Sequence, residues 1–351
     1  MAKVRVGLDI GSTAVRAAEV SVGGSQPSVL RAAQVKVAAG AVENGEVRDP
    51  GAVAEALREL WAVGKFKSRQ VVMGVGNQRV VVREIGLPWL PEKELRSSLG
   101  FQVQEFIPMS VDDVVLDFDA LGEFEQEGRR MIRILLVAAQ RVMVDAVVAA
   151  AEGAKLDPIG LDLVPFALVR AVGVSDAGMD LDETGDEAVV DIGAHVTNIC
   201  VHARGVTRFV RILPSGGRDV TLAIARSLGV EDDVAERLKK GEAVEGAPAA
   251  EVVRSAAISR AGSFVDEIRS SLEFYTAQAQ GARIARVLIT GGGSKLDGLL
   301  DLLRGRIPVP VERGQVFSRA VPKLDLDERA LNEAEPVLAV AIGLAIPGRN
   351  A

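Results

Sequence analysis

The chain has a single cysteine, Cys200, and only two histidines, His195 and His202. One thiol excludes a disulfide within the chain and favours a reducing compartment. One cysteine and two histidines are also too few to argue for a structural zinc site. Cys200 lies in an apolar run, so we expect a buried structural thiol and not a nucleophile.

Neither an excess of basic charge nor a long apolar run is present. The 41 basic and 48 acidic side chains give a net charge of −7, so no nucleic-acid partner is expected. The longest apolar run, 337–346, is too short for a bilayer, which needs roughly 20 residues. The N-terminus alternates like a strand and does not resemble a signal peptide. We therefore expect a cytoplasmic protein without direct membrane insertion.

Aromatic residues are also scarce, at 4% of the chain, whereas hydrophobic residues reach 48%. Valine, alanine and leucine dominate, which is typical of layered α/β proteins. A length of 351 residues suits two to four modest subdomains with substantial cores.

One short motif occurs twice, half a chain apart. VGLDIGSTAVR begins at Val6 and VVDIGAHVTNI begins at Val189. Each reads as a strand that ends in an acidic residue, Asp9 or Asp191, followed by a glycine-containing turn. A third segment, LITGGGSKLDGLL at 288–300, places a glycine-rich turn before a predicted helix. Two hairpins of one design predict two related lobes that close on a shared polyphosphate.

The residue types in these turns suit the phosphates of a nucleotide. Backbone N–H groups in a turn after a strand can bind phosphate oxygens, and glycine permits a close approach. Carboxylates repel phosphate, so Asp9 and Asp191 are better suited to holding a hydrated Mg²⁺. No Walker motif is present and no G-x-G-x-x-G follows the first strand, which excludes P-loop and Rossmann sites. His195 is either a phosphate contact or an ordinary loop histidine.

Periodicity predicts the remaining elements. Strands fill the first 36 residues, and residues 78–158 form a separate unit with a helix that opens at Pro91 and is ended by Pro108. Two strands of this unit flank a polar loop. Residues 175–187 are predicted to form a linker, and 336–346 a final buried helix. A long helical region is predicted over 218–280, with an interruption at 241–250.

The order of these segments resembles the actin-like ATPase superfamily, which includes heat-shock chaperones, sugar kinases and the division protein FtsA. Its two phosphate loops, two connecting helices and adenosine loop correspond to 6–16, 162–172, 189–199, 288–300 and 336–346. Three further segments are similar to the PilM family of type IV pilus assembly proteins, namely 90–122, 211–230 and 267–275. The resemblance implies an α/β, actin-like (ribonuclease H-like) two-lobed fold with an inserted α+β subdomain of the 1C type.

Four subdomains follow from the resemblance. Subdomain 1A would comprise 1–77, 159–186 and 336–351, and the inserted subdomain 1C would comprise 78–158. Subdomain 2A would comprise 187–215 and 285–335, and subdomain 2B would comprise 216–284.

The resemblance also implies that the chain binds ATP with Mg²⁺. The matching positions are, for the first phosphate loop, Asp9, Gly11, Ser12 and Thr13; for the second, Asp191, Gly193 and Thr197; for a glycine pair, Gly216 and Gly217; for the base and ribose, Glu236 and Lys239; and for the adenosine loop, Gly291, Gly292 and Gly293. Asp9 and Asp191 would hold the metal through water. By spacing alone, Glu236 and Lys239 would be an exposed helical ion pair.

Hydrolysis of ATP is a separate question. Bacterial actins that hydrolyse ATP usually carry an acidic pair directly before the proline of the first connecting helix. Here Leu163 and Val164 precede Pro165, and Asp162 is the only acidic residue within 161–171. ATP binding is therefore expected, with slow hydrolysis if there is any.

The family resemblance implies protein partners. It implies that the chain binds the N-terminal tail of the inner-membrane protein PilN in a groove between the first lobe and the insert, linking the inner-membrane platform to the motor ATPases. Five apolar residues either line this groove or pack in the core: Leu87, Leu95, Leu99, Phe106 and Ile107. The fold also permits a homo-oligomer.

Two alternatives stay open at this stage. A division-type membrane tether like FtsA would need a C-terminal amphipathic helix, whereas this sequence ends at 347–351 directly after its last helix. A small-molecule kinase of the same superfamily would need a carboxylate base and a polar sugar pocket.

Overall fold

The computed structural model describes residues 3–173, 185–246, 248–279 and 281–348. In chain order, the strands in this part of the chain are β1 (Lys3–Ile10), β2 (Ala14–Val22), β3 (Ser28–Lys36), β4 (Val42–Glu43), β5 (Glu46–Val47), β6 (Gln70–Val75), β7 (Val80–Pro88), β8 (Val114–Gln126), β9 (Arg129–Gln140), β10 (Asp157–Leu163), β11 (Gly185–Ile192), β12 (Thr197–Ala203), β13 (Val206–Leu213), β14 (Arg283–Thr290), β15 (Val311–Arg313) and β16 (Val321–Pro322). The α-helices are α1 (Pro50–Gly64), α2 (Glu92–Gln102), α3 (Arg141–Gly153), α4 (Val164–Val172), α5 (Gly217–Leu228), α6 (Asp232–Lys239), α7 (Ala250–Gln278), α8 (Leu299–Arg306) and α9 (Glu328–Ala345).

Two large sheets share one design. The first has the order β10-β6-β1-β2-β3-β16, and the second has the order β13-β12-β11-β14-β15. In each sheet, three consecutive strands form an antiparallel meander, and later strands add in parallel beside the first strand of the meander. The prediction of two related lobes from the repeated motif is therefore confirmed.

Helices α4 and α9 lie between the two sheets. Helix α9 packs on β1 and β2, α4 packs on β11 and β12, and the two helices contact each other. Their crossing is close, because an ideal Cβ on Gly343 would lie 2.0 Å from the carbonyl oxygen of Ala167. One continuous apolar cluster joins both helices to both sheets, so each lobe depends on the other for part of its core.

The outer faces of the sheets are covered by the remaining long helices. Helices α1 and α3 bury the first sheet around Leu57 and Leu60, and α1 begins after Asp49, whose side chain accepts a hydrogen bond from the N–H of Ala52. Helices α7 and α8 cover the second sheet around Val265 and Ile268.

The inserted unit is a three-stranded sheet, β7-β9-β8, with α2 on one face. The predicted polar loop between its two long strands is wrong. Both strands continue to a tight turn at Glu127 and Gly128, which have φ angles of 51° and 72°. Two successive residues in the left-handed region form a turn that matches the twist of paired strands. The strands therefore stay hydrogen-bonded up to this turn, and the charged residues predicted as a loop belong to β8 and β9.

Two helix boundaries also differ from the predictions. Helix α2 ends at Gln102, and the apolar stripe continues through a 3₁₀ turn at Gln104–Phe106, which has nearly the same periodicity. Helix α9 begins at Glu328, because Asp327 caps its N-terminus, and Pro336 lies inside the helix. Proline is favoured in the first turn of a helix, so its position alone suggested a later start.

Part of the predicted linker, from 175 to 184, lies outside the described residues, whereas Gly185, Asp186 and Glu187 belong to β11. The division into four subdomains stays a prediction.

Candidate functional site

The two repeated hairpins place their acidic residues close together. Asp9 lies near the end of β1 and Asp191 near the end of β11; Asp191 is buried, whereas the side chain of Asp9 is 15% exposed. Burial is the largest cause that raises the pKa of Asp191 to about 7, and the nearby Asp9 carboxylate raises it further. Two carboxylates that are largely shielded from water and repel each other form a site suited to a cation.

Each acid has a cross-strand partner at the same place in its hairpin. Arg16 lies opposite Asp9, and its Nη1 is 3.3 Å from Asp9 Oδ2. Asn198 lies opposite Asp191, and its Nδ2 donates to Asp191 Oδ2 at 3.3 Å. Burial raises the pKa of Asp9 as well, but Arg16 opposes that effect directly. The amide of Asn198 carries no charge, so Asp191 remains the less compensated acid.

Both partners also carry a buried atom without a hydrogen-bond partner in the described part of the chain: Arg16 Nε, a donor, and Asn198 Oδ1, an acceptor. Buried polar atoms are normally satisfied, so these two atoms indicate where a ligand or water completes the site. Neither residue was among those predicted from the sequence. The signal was available, since each lies seven positions after the acid of its motif.

The glycine-rich turn packs against the second hairpin. An ideal Cβ on Gly291 would lie 2.5 Å from Asp191 Oδ1, and one on Gly293 would lie 2.4 Å from Ile192 Cγ2. The N–H of Gly291 donates to the carbonyl of Pro336 at 3.0 Å. This turn therefore links the second hairpin to α9, and it leads into a 3₁₀ turn before α8 begins at Leu299.

Replacement of Gly291 or Gly293 by alanine should destabilise the protein, whereas replacement of Gly292 should not. Gly291 has a φ of +87°, which L side chains rarely adopt, and both outer glycines meet atoms of the second hairpin. We expect Gly291→Ala and Gly293→Ala each to lower the free energy of unfolding by about 1–3 kcal/mol. A Cβ on Gly292 would meet only Val337 Cγ1 at 3.7 Å, so Gly292→Ala should stay within about 0.5 kcal/mol. Urea titrations of the three variants test this, and equal losses would contradict it.

The glycine pair starts helix α5 directly behind the turn of the second hairpin, at Gly193 and Ala194. The N–H groups of Gly217 and Arg218 donate to the carbonyls of Gly193 and Ala194, at 3.0 and 2.8 Å. The N–H of Gly193 in turn donates to the carbonyl of Val196 at 2.9 Å. The position of this turn is thus set by the first turn of α5.

Glu236 and Lys239 are not an exposed pair. Lys239 Nζ donates to Glu236 Oε2 at 2.6 Å, to Thr221 Oγ1 at 2.8 Å and to the carbonyl of Gly217 at 3.0 Å. Burial lowers the pKa of Lys239, and the Glu236 carboxylate opposes this effect. The pair therefore joins α6 to the glycine pair, beside the Gly291–Gly293 turn.

The predicted hydroxyl donors differ in their surroundings. Ser12 is half-buried and Thr13 is exposed in the first turn. Thr197 is fully buried, and its hydroxyl donates to the carbonyl of Ser215 at 2.8 Å. The Thr197 hydroxyl therefore links the turn of the second hairpin to the residues after β13. Its proton is used in this bond and is not available to a ligand in this conformation.

His195 forms a contact that sequence patterns did not indicate. The N–H of Asn44, in the β4–β5 turn of the first lobe, donates to His195 Nδ1 at 3.4 Å. Burial, together with the charge of Arg218, lowers the pKa of His195. A first-lobe hairpin thus contacts the turn of the second hairpin across 151 positions of sequence.

Other sequence predictions fall in the core. Leu87, Leu95, Leu99 and Ile107 are buried in the insert, and Phe106 packs against them. Cys200 is buried, and burial raises the pKa of its thiol to about 12, which confirms a structural role. Among the described helices, none has a stretch long and apolar enough to cross a bilayer.

Solved structures of the same architecture are found among several protein families. EutJ of Carboxydothermus hydrogenoformans, an ethanolamine utilization protein, is 17% identical with a TM-score of 0.58, covering 99% of this chain and 90% of its own. MreB5 of Spiroplasma citri, bound to ADP, is 12% identical with a TM-score of 0.52, covering 97% and 94%. Together with the two matched sheets, these neighbours establish the actin-like α/β fold.

A solved structure from pilus assembly has a higher sequence identity and a higher TM-score than these two neighbours. The structure of a PilM–PilN type IV pilus biogenesis complex is 30% identical with a TM-score of 0.83, covering 97% of each chain. The family model for the type IV pilus assembly protein PilM matches residues 7–349, nearly the whole chain. The chain therefore belongs to the PilM family of type IV pilus assembly proteins.

Proposed function

We propose that this protein is a nucleotide-binding adaptor that binds the N-terminal tail of PilN at the cytoplasmic face of the inner membrane. In this role it connects the inner-membrane platform of the pilus to the assembly motor. The observation that carries the nucleotide part is that the carboxylates of Asp9 and Asp191, both largely shielded from water, lie close together near the turns of the two hairpins. The similarity to a PilM–PilN complex over the whole chain supports the partner.

The residues of the cleft fit a magnesium nucleotide. When bound, Mg²⁺ would supply the positive charge that the mutually repelling carboxylates of Asp9 and Asp191 lack. Arg16 is the cation nearest to Asp9, and its unpartnered Nε is a donor for an anion such as phosphate. The adenosine side would be held by the Gly291–Gly293 turn and by Glu236 and Lys239. An MreB5 structure of the same fold has ADP bound, which supports a nucleotide as the ligand.

The protein is proposed to bind ATP without hydrolysing it rapidly. Asp162, the only acid within 161–171, forms an ion pair with Arg170 and accepts a hydrogen bond from the N–H of Leu163. A carboxylate held in this way is poorly placed to orient an attacking water. We propose that nucleotide serves as a structural or regulatory ligand.

An apolar rim on the insert is our candidate for the PilN contact. Phe101 is 83% exposed, Val142 is 77% exposed and Val115 is 37% exposed; these three residues are called the apolar rim. Their chain neighbours lie near one segment, because an ideal Cβ on Gly100 would lie 3.0 Å from Val111 Cγ1 and Arg141 Nη2 donates to the carbonyl of Val114 at 2.8 Å. Helix α3 also packs into the first-lobe core. The rim therefore borders both the insert and the first lobe.

We expect Phe101→Glu and Val142→Glu each to weaken the binding of a PilN tail at least tenfold. A charge placed on an exposed apolar contact must be desolvated when the partner binds, which costs affinity without affecting the fold. The measurement is calorimetric titration with a synthetic peptide that copies the N-terminus of PilN from the same organism.

Two other variants separate binding from folding. Val252→Glu replaces a 47%-exposed valine on α7 of the second lobe and should bind like the wild type. Leu99→Glu, at 4% exposure, should unfold the insert and so cannot report on the groove. Wild-type affinity in both rim variants, or an equal loss in Val252→Glu, would reject the apolar rim as the site.

A further inference from the structure

A single row of side chains runs across the second sheet from the cleft to the insert. In the strand register, Asp191 lies opposite Asn198, and Asn198 lies opposite Ile212. Residues directly opposite in antiparallel strands have their side chains on the same face and in contact. Asp191, Asn198 and Ile212 therefore form one row, which we call the coupling row.

The outer end of the row meets the insert. Strand β13 is an edge of the second sheet and β7 is an edge of the insert's sheet, and these two strands lie against each other. Ile212 packs against the apolar cluster that includes Val80 of β7 and Ala139 of β9. Among the backbone hydrogen bonds of the described residues, none joins β13 to β7. The contact between β13 and β7 therefore rests on side-chain packing. The two strands can move relative to each other without breaking backbone hydrogen bonds between strands.

The inner end of the row belongs to the cleft. Asn198 donates to Asp191, and its buried Oδ1 has no hydrogen-bond partner in the described part of the chain. The end of β13 is also tied to the second phosphate turn, because Thr197 Oγ1 donates to the carbonyl of Ser215 at 2.8 Å and the N–H of Gly217 donates to the carbonyl of Gly193 at 3.0 Å. A cavity of about 490 Å³ beside Ile212, bordered by Gln78 and α7, leaves space for movement.

We infer that the coupling row transmits occupation of the cleft to the inserted unit, with Asn198 as a positioning residue and Ile212 as the contact that moves β7. The inference rests on the proposed binding of nucleotide. A ligand that draws Asp191 and the second turn together would shift Asn198 and the end of β13 with them. Because coupling between sites is reciprocal, a partner bound to the insert would in turn change nucleotide affinity.

Hydrogen exchange measured by mass spectrometry on the full-length protein tests this inference, with Mg²⁺–ATP as the probe. In the wild type, we expect the amides of β7 and β9 to exchange at least threefold more slowly when nucleotide is added. Ile212→Ala should abolish that change in the insert, whereas the second phosphate turn remains protected and the nucleotide affinity stays within twofold. Ile212→Val, which keeps most of the contact, should respond like the wild type.

A matched control lies at the far end of the same strand. Val206→Ala shortens a β13 side chain away from the cleft, and its insert should still respond to nucleotide. If the turns are protected but the insert is unchanged in the wild type, or changes equally in Ile212→Ala, the coupling row is wrong although nucleotide binds. If no turn is protected at all, the nucleotide proposal itself is wrong and the inference falls with it.

Discussion

Replacing Asp191 by asparagine is expected to weaken binding of Mg²⁺–ATP roughly 10- to 100-fold, the range typical for residues that orient a metal's first ligands. The same change should stabilise the free protein at neutral and alkaline pH. Both effects have one cause, since the buried Asp191 carboxylate is poorly compensated when no cation is present. Function and stability are therefore opposed at this residue.

The pH dependence follows from the direction of the pKa change. The pKa of Asp191 rises from 3.8 to about 7 in the folded state, so between these values the folded protein holds more protons than the unfolded chain. Stability of the free protein therefore falls as the pH rises from about 4 to about 7. At about 1.4 kcal/mol per pKa unit, the limit is about 4 kcal/mol, and we expect about 1–3 kcal/mol because neighbouring groups can relax.

Two sets of measurements check this prediction. Unfolding of Asp191→Asn and wild type, each without nucleotide, should differ little at pH 4 and most above pH 7. Nucleotide titrations with Mg²⁺ should show the loss of affinity, whereas titrations in EDTA should not, since the lost interaction is with the cation. An equal loss in EDTA, or a destabilised free protein at pH 8, would show that Asp191 has another role.

Gly343→Ala is expected to lower the free energy of unfolding by about 3 kcal/mol. An ideal Cβ there would lie 2.0 Å from the carbonyl oxygen of Ala167 and 2.6 Å from its carbonyl carbon. Both are backbone atoms, so no side-chain rotation relieves the overlap, and α4 and α9 must separate. These helices form the layer between the two lobes, so the damage should spread to both sheets.

Gly305→Ala provides the matched control for this second prediction. Gly305 lies on helix α8, and a Cβ there would meet no atom within 4 Å. Alanine has the higher helix propensity, so this variant should be as stable as the wild type or up to about 1 kcal/mol more stable. Chemical denaturation of both variants measures the difference. Similar stabilities for the two variants would mean that the α4–α9 crossing can adjust at little cost.

Local patterns correctly predicted the strands of the first 36 residues and the strand that ends near Asp191, because alternation and glycine-containing turns act over a few residues. The same patterns misplaced the boundaries that depend on distant contacts. Pro336 looked like a helix start, whereas its carbonyl accepts hydrogen bonds from Gly291 and Thr290 in the middle of α9. A proline inside a helix loses one intrahelical bond, and here packing between the lobes compensates for it.

Within the site, residue types and spacing identified the acids and the glycine turns, but not how they are compensated. Arg16 offsets part of the effect of burial on Asp9, whereas the cross-strand partner of Asp191 is the uncharged amide of Asn198, and this difference depends on strand register and burial. Likewise, the contact between Asn44 and His195 joins residues from different lobes. No local pattern can report a contact of this kind.

The sequence by itself determined that this protein has two lobes of one design with acidic hairpins facing a common cleft, because that information lies in a repeated local motif and in its spacing. Only the tertiary structure decided which apolar residues are core and which are free to bind. Leu99 and Phe101 are two positions apart on α2, yet one is 4% exposed and the other 83%. Burial is a property of what packs against a residue, and the partners of Leu99 come from strands that lie before and after its helix in the chain.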